Sequence, residues 1–364
     1  MPFGVREVVV VTSDNAVLRA LSNRTAPYEG VPLSEICLIL QPMHAAGAAR
    51  LREAGFEVRF ANSLEPDTLF REVADVAAIL TRDARVDVAL MDAAPNLRVI
   101  GVHGVGIDNI EVAAATARAI AVVNTPGANA RSVAEHALAL TFHLAKAIGA
   151  GDRAARARDG DYKFRTLSIE LAGATFGVVG FGAIGRETAR LAAALGMKVV
   201  VWTRRPDDPV VLAEGFCHVA ELDDLLARSD VVSLHLPSAP GTRKLIGAAQ
   251  LAAMRPTALL VNTARGALID EHALAAALSE RRIGGAGLDV VAQEPLPADS
   301  PLIGLDNVVL TPHVGGSTQA ALRRTATALA DQVAMALAGE RPTHLVNADA
   351  WMAITAERRA EGAK

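Results

Sequence analysis

The sequence has few of the features that mark several common classes of protein. Only two of its 364 residues are cysteines, Cys37 and Cys217, and they lie too far apart for a cysteine-based metal site. The formal net charge is only −4, with no long run of one sign, which argues against nucleic acid or a membrane surface as partner. The N-terminus lacks the apolar stretch of a signal peptide, and no apolar run reaches the roughly 18 residues of a membrane helix. We therefore expect a cytoplasmic protein without a metal site.

The residues that are present predict two α/β units. At about 150 residues per domain, the length predicts two domains. Short apolar runs alternate with helical segments from about residue 36 to residue 123, and the alternation starts again at LAGATFGVVGFGAIG. Such alternation implies parallel sheets covered by helices, so the predicted fold class is α/β with two doubly wound parallel-sheet domains.

Two helical segments stand out. Pro126 and Gly127 break the chain, and a helix is predicted to start near Ser132, with Glu135 at capping-box spacing. After His313, the run STQAALRRTATALADQVAMALAG predicts one long helix. The first 34 residues read as an extension of the first unit, with no function assigned.

A glycine-rich loop follows the first apolar strand of the second unit. Gly180, Gly182 and Gly185 form a GxGxxG pattern that opens the helical segment RETARLAAAL. In that context the glycines allow a tight turn, an approach of the backbone to a pyrophosphate and close packing of helix on strand. The helix N-terminus offers N–H groups to the phosphates, which predicts a nicotinamide dinucleotide as cofactor.

The next strand ends without the acidic residue that usually binds a ribose. Thr203, Arg204 and Arg205 stand there instead, and guanidinium groups match a 2′-phosphate well. This favours NADP(H) over NAD(H). Two alternatives stay open, namely that Asp207 or Asp208 reaches back to the ribose, or that the arginines are solvated surface residues.

Three later stretches each place polar residues just after an apolar strand. They contain Arg265, Glu294 and His313. Ligands of open α/β sheets bind outside the carboxyl ends of the strands, so these side chains are expected to converge. Hydride transfer to a carbonyl needs a cation to anchor and polarise the substrate, which suits Arg265. It also needs an acid, which suits His313, and a carboxylate that orients this imidazole and favours its protonated form, which suits Glu294.

The sequence resembles the D-isomer-specific 2-hydroxyacid dehydrogenase family. The resemblance runs from about residue 97 to 339 and is carried, in order, by GVVGFGAIGR, HLPSAPGTRKLI, VNTARGALID, GAGLDVVAQEP and TPHVGGST. It implies a Rossmann-type NAD(P)-binding domain, residues 124–313, inserted into a flavodoxin-like substrate domain, residues 1–123 and 314–364, with hinges near Asn124 and His313.

The resemblance also implies roles for single residues. The catalytic trio would be Arg265, Glu294 and His313, and Asp289 would bind the nicotinamide carboxamide. The loop GVHGVGIDN would offer the substrate carboxylate the backbone N–H groups of Val105 and Gly106. His103 would either touch the substrate's third carbon or face solvent. The other cofactor residues implied are Ala183, Ile184, Pro237, Thr242 and Thr263.

The expected function follows from that family. It is an oxidoreductase that transfers a hydride between NAD(P)H and a small 2-oxo acid or D-2-hydroxy acid, with glyoxylate or hydroxypyruvate reduction favoured. The alternatives are a D-3-phosphoglycerate dehydrogenase without a regulatory domain and a nucleotide-sensing, corepressor-like binding protein. Arg82 stands near a position where phosphoglycerate enzymes carry an arginine, but in an uncertain register. The family is usually dimeric, and the apolar run ALALTFHLA fits either a homodimer interface or a buried intramolecular helix.

Overall fold

The first of two parallel sheets lies near the N-terminal end of the described chain. The computed structural model describes residues 35–204 and 209–361, so the first 34 residues lie outside it. This sheet has the strand order β2-β1-β3-β4-β5, the flavodoxin-like order, and all its pairs are parallel. Its strands are β1 (Ile36–Ile39), β2 (Glu57–Phe60), β3 (Ala78–Thr81), β4 (Val99–Val102) and β5 (Ala121–Val123).

The second sheet is also parallel and has the Rossmann strand order. The order is β12-β11-β10-β9-β6-β7-β8, which reverses direction between β6 and β9. That reversal is where ligands bind in such folds. The strands are β6 (Thr175–Val179), β7 (Lys198–Trp202), β8 (Cys217–His218), β9 (Val231–Leu234), β10 (Leu259–Asn262), β11 (Gly285–Leu288) and β12 (Val308–Leu310).

Helices connect the strands and cover the two sheets. The predicted class, two doubly wound parallel-sheet α/β units, is confirmed. The α-helices are α1 (Ala45–Glu53), α2 (Pro66–Glu72), α3 (Val88–Asp92), α4 (Val112–Ala117), α5 (Ala130–Ala145), α6 (Ile148–Arg156), α7 (Tyr162–Arg165), α8 (Ala183–Ala194), α9 (Pro209–Ala213), α10 (Leu222–Arg228), α11 (Ala248–Ala253), α12 (Glu271–Ser279), α13 (Gln319–Leu337) and α14 (Trp351–Glu361).

The chain returns to the first sheet after the second is complete. Helix α13 packs on α1, β4 and β5, and it approaches α1 closely because Gly47 lies against Ala326. This connectivity agrees with an inserted cofactor domain, although the predicted limits at residues 123/124 and 313/314 stay a prediction. Seven of the twelve described strands are buried along their whole length, which explains why they read as continuous apolar runs.

The predicted start of α5 near Ser132 is close to the observed one, but the predicted capping box of Ser132 and Glu135 is wrong. The helix begins at Ala130, and the Ser132 hydroxyl, inside the first turn, donates to the carbonyl of Gly315 at 2.8 Å. Glu135 forms an ion pair with Arg131 instead of capping the helix. The reason is tertiary, because Ser132 is buried and binds the segment that follows His313.

The apolar run in α5 belongs to the interior of the chain. Ala137, Leu138 and Leu140 are buried, and the helix packs on α8, β10 and β11. The structure therefore bears out the intramolecular alternative for ALALTFHLA. Strand β8 was not predicted, because two residues are too short to show an alternating pattern.

Candidate active site

The glycine loop joins β6 to α8 with the geometry that a bound pyrophosphate requires. Gly180 has a φ of 97°, which favours glycine, and a methyl group on Gly185 would overlap the Gly180 carbonyl oxygen. A methyl group on Gly182 would meet no atom within 4 Å, so the loop is open on that side. Gly182 is also the N-cap and provides no side chain to the first turn, where Ala183 and Ile184 stand. The cradle thus fits a dinucleotide phosphate.

Part of the predicted ribose site lies within the described chain. Thr203 is half-buried after β7, and Arg204 is exposed beside it. Arg205, Asp207 and Asp208 lie outside the described residues, so the arginine pair and its acidic alternative both stay predictions.

One cleft brings eight of the predicted residues together. It is formed by the strand ends of both sheets and contains, of the predicted set, His103, Val105, Gly106, Ile184, Thr263, Arg265, Asp289 and His313. The other described residues of the predicted set lie outside its lining: Gly180, Gly182, Ala183 and Gly185 in the glycine loop, Thr203 and Arg204 after β7, Pro237 and Thr242 after β9, and Glu294 after β11. Thr242 supports its own loop, because its hydroxyl donates to the Pro237 carbonyl at 2.8 Å.

His313 and Glu294 form the predicted pair. Nδ1 of His313 lies 2.9 Å from Oε2 of Glu294, and both side chains are partly exposed. His313 has a φ of 54°, a conformation that is unusual for a residue with a side chain and common at functional sites. Its N–H donates to the carbonyl of Asp289 at 2.8 Å, which ties this turn to the end of β11.

Asp289 is buried beneath that turn. Its carboxylate accepts hydrogen bonds from Thr311 Oγ1 at 2.6 Å and from the backbone N–H groups of Val314 and Gly315, and it pairs with His136 at 3.2 Å. Burial acts to raise the pKa of Asp289, but these hydrogen bonds outweigh burial and lower the pKa from 3.8 to about 2. Asp289 therefore fixes the turn that carries His313. Its role toward the nicotinamide stays a prediction.

Arg265 enters the cleft from the end of β10. Its Nη1 donates to the Ala264 carbonyl and its Nε to Asp108 Oδ2, both at 2.7 Å. The buried Asn262 holds this turn, since its amide donates to the Arg265 carbonyl at 2.8 Å. The guanidinium lies against Gly106, where a methyl group would overlap it. The predicted cation and the predicted carboxylate loop are therefore adjacent.

His103 lies on the cleft wall, which contradicts the alternative that it faces solvent. Its Nε2 is buried and has no hydrogen-bond partner among the described residues. Burial, together with the charge of Arg82, lowers the pKa of His103, so the neutral imidazole is favoured. Thr263 Oγ1 is likewise buried without a partner in the described chain, as expected of a group that binds a ligand.

Several residues of the site were not assigned from the sequence. Arg82, whose register the family resemblance left uncertain, follows β3 and lines the cleft. Asn129, the N-cap residue of α5, also lines the cleft, with Oδ1 buried and unpaired among the described residues. No pattern in the sequence marks Asp108 or His136, because their partners come from distant segments. Within the described ranges, no group of three or more metal-binding side chains occurs, and none of the helices is long and apolar enough to span a membrane.

Comparisons with known proteins agree with this geometry. Residues 138–315 match the family described as D-isomer specific 2-hydroxyacid dehydrogenase, NAD binding domain. A glyoxylate reductase of Thermofilum pendens is 39% identical over 287 residues, which cover 77% of this chain and 84% of that protein. The chain belongs to the D-isomer specific 2-hydroxyacid dehydrogenase family.

Other members of the family differ in their named substrates. A D-3-phosphoglycerate dehydrogenase of Mycobacterium bovis is 44% identical over 297 residues, 80% of this chain, and the match spans only about half of that longer relative, 55%. Among solved structures, an NADPH-dependent glyoxylate/hydroxypyruvate reductase of Sinorhizobium meliloti, in complex with NADP and malonate, superposes with a TM-score of 0.76 at 29% identity. The superposition covers 86% of this chain and 97% of that one.

Proposed function

We propose that the chain catalyses the reversible reduction of a small 2-oxo acid to a D-2-hydroxy acid. One observation carries the proposal: Arg265, His313 and the loop of Val105 and Gly106 line a single cleft, with Glu294 directly behind His313. A bound nicotinamide dinucleotide supplies or accepts the hydride.

The residues divide the remaining chemistry among them. The Val105 and Gly106 N–H groups and the Arg265 guanidinium bind the substrate carboxylate, and Arg265 also polarises the carbonyl that accepts the hydride. His313 transfers the proton to or from the substrate oxygen through Nε2, since Nδ1 faces Glu294. Glu294 holds the imidazole in place and balances its charge.

The cofactor we propose is NADP(H). Thr203 and Arg204 stand where a ribose-binding acid is expected, and a carboxylate there would repel a 2′-phosphate. The reductase of Sinorhizobium meliloti is itself described as NADPH-dependent. Thr203→Asp should lower kcat/KM with NADPH by at least about 10-fold and leave the value with NADH higher than with NADPH. A wild-type preference for NADH would reject this proposal.

The decisive experiment compares initial rates of NADPH oxidation with glyoxylate and hydroxypyruvate, for the wild type and for His313→Ala. We expect turnover by the wild type and loss of turnover in the variant, with NADPH affinity retained. Tight cofactor binding without turnover of any 2-oxo acid would instead indicate the corepressor-like alternative.

A second candidate substrate is D-3-phosphoglycerate. Arg82 lines the cleft next to His103, where a guanidinium would suit a phosphate, and the relative from Mycobacterium bovis carries that activity in its name. If this candidate is right, the wild type oxidises D-3-phosphoglycerate and Arg82→Leu raises its KM at least about 10-fold. The KM for glyoxylate should stay unchanged in that variant.

We also propose a homodimer. Helix α6 buries none of its side chains, and the apolar residues Ile148, Phe164 and Leu167 are exposed on α6, on α7 and just after α7. An exposed apolar surface of this kind is typical of an interface. Sedimentation equilibrium should give a dimer for the wild type and a shift toward monomer for Phe164→Glu/Leu167→Glu.

A further inference from the structure

One ion pair connects the two sides of the cleft. Asp108 lies in the loop between β4 and α4, and Arg265 follows β10, so the two residues come from different sheets. Asp108 Oδ2 accepts a hydrogen bond from Arg265 Nε at 2.7 Å. Within the described ranges, the Asp108 side chain makes no other hydrogen bond or ion pair. In the described chain, Arg265 is therefore the one residue that the Asp108 side chain binds.

The pairing fixes the guanidinium without using all of its donors. Asp108 binds Nε and the Ala264 carbonyl binds one hydrogen of Nη1. Nη2 lies against Gly106 and makes no hydrogen bond to any described residue. The donors that remain, on Nη1 and Nη2, are thus held beside the loop of Val105 and Gly106.

We infer that Asp108 is a positioning residue, which holds the Arg265 guanidinium beside that loop and so forms one anion site from the two sides of the cleft. The inference rests on the proposed function and names a residue that supports the same site. Asp108 does not touch the substrate in this scheme, and it acts only through Arg265. In the same inference, the ion pair joins the two sides of the cleft and so favours their closed arrangement.

A rival interpretation predicts the opposite change in the affinity for an anionic ligand. A carboxylate near an anion site repels an anionic ligand, and the Asp108 side chain retains 45% exposure. If repulsion were its only effect, removing its charge would strengthen the binding of a 2-oxo acid. If Asp108 positions Arg265, removing its charge weakens that binding, because the guanidinium is free to rotate away from Gly106.

Asp108→Asn is the sharpest variant, since it keeps the size of the side chain and removes the charge. The probe is oxalate, a non-reducible analogue of glyoxylate, titrated into the NADPH complex and followed by nicotinamide fluorescence. We expect oxalate affinity and the kcat/KM for glyoxylate to fall by about 10-fold or more, with NADPH affinity changed less than about twofold. Asp108→Glu, which keeps the charge, should recover part of the loss.

The matched control is Asp92→Asn. Asp92 also pairs with a single arginine, Arg118, at 2.8 Å, but it does not line the cleft. That variant should bind oxalate and turn over glyoxylate like the wild type. Unchanged or tighter oxalate binding by Asp108→Asn would overturn the inference.

A measurement without substrate separates this inference from the proposed function. If the wild type neither reduces 2-oxo acids nor binds oxalate, the proposed function fails, but the ion pair can still be tested by small-angle X-ray scattering. Asp108→Asn, and not Asp92→Asn, should then increase the radius of gyration as the cleft opens. An unchanged radius in both variants would overturn the role of Asp108 in that case too.

Discussion

Nδ1 of His313 lies 2.9 Å from Oε2 of Glu294, so one edge of the imidazole is bound to a carboxylate of the same unit. The other nitrogen, Nε2, makes no hydrogen bond to any described residue, and His313 lines the cleft. An imidazole held in this way presents one donor in a fixed direction. The pair is therefore suited to exchange a proton with a ligand in the cleft.

The first prediction concerns this pair. His313→Ala should lower kcat by about 10²–10⁴-fold, the usual contribution of a general acid. Glu294→Gln keeps a hydrogen-bond acceptor but removes the charge, so its loss should be smaller. Steady-state kinetics measure both values, and fluorescence titration with NADPH should give wild-type affinity for both variants. Near-normal turnover by His313→Ala would mean that another group is the acid.

The second prediction separates two glycines of the phosphate loop. Gly182→Ala should fold normally, because its added methyl group meets no protein atom within 4 Å, but it should weaken NADPH binding by at least about 10-fold. Gly185→Ala should lower the melting temperature instead, since its methyl group overlaps the Gly180 carbonyl. Calorimetry and cofactor titration of both variants test this. Equal cofactor affinity for Gly182→Ala and the wild type would show that the open side of the loop is not the phosphate site.

The two parallel sheets and much of the cleft could be predicted from the sequence for a physical reason, whereas the strand order was implied only by the family resemblance. Strands of a buried parallel sheet must be continuous apolar runs, and their carboxyl ends meet at one edge. That rule is sufficient to bring together Arg265, Asp289 and His313. The same rule places Arg82, which follows β3, at the carboxyl edge of the first sheet.

The remaining features depend on contacts between distant segments. Ser132 was assigned as a helix start because capping patterns are local, whereas its hydroxyl binds Gly315. Asp108 and His136 have no local pattern, and their importance appears only once Arg265 and Asp289 lie beside them. The Asp108–Arg265 pair depends on how the two units approach each other, and the other pairs depend on how distant segments pack, neither of which periodicity encodes.

The third prediction concerns the cation of the site. Arg265→Ala should reduce transition-state stabilisation by about 3–5 kcal/mol, as expected when a charge-assisted contact is removed. Arg265→Lys should recover only part of this loss, because an ammonium group lacks the planar fork that Asp108 and the substrate use together. The loss of transition-state stabilisation in each variant is calculated from its kcat/KM for glyoxylate relative to that of the wild type. Full activity in Arg265→Lys would show that only the charge matters.

The last prediction concerns stability and pH. The pKa of Asp289 falls from 3.8 to about 2 on folding, so its ionised form stabilises the fold by about 2 kcal/mol. Because the folded pKa is the lower one, this contribution is complete above about pH 4 and is lost as the pH falls toward 2. Asp289→Asn should therefore lower the free energy of unfolding at pH 7 by at least about 2 kcal/mol. The difference in the free energy of unfolding between Asp289→Asn and the wild type should shrink below pH 4.

Urea denaturation from pH 2.5 to pH 7 measures this difference. Asp92→Asn is the control, because its ion pair with Arg118 is exposed and pairs of that kind contribute only about 0–1 kcal/mol. A difference between Asp289→Asn and the wild type that stays constant across that range would mean that the hydrogen bonds, and not the charge, carry the stabilisation. The turn of His313 would then depend on the hydrogen bonds that the Asp289 side chain accepts, whatever its charge.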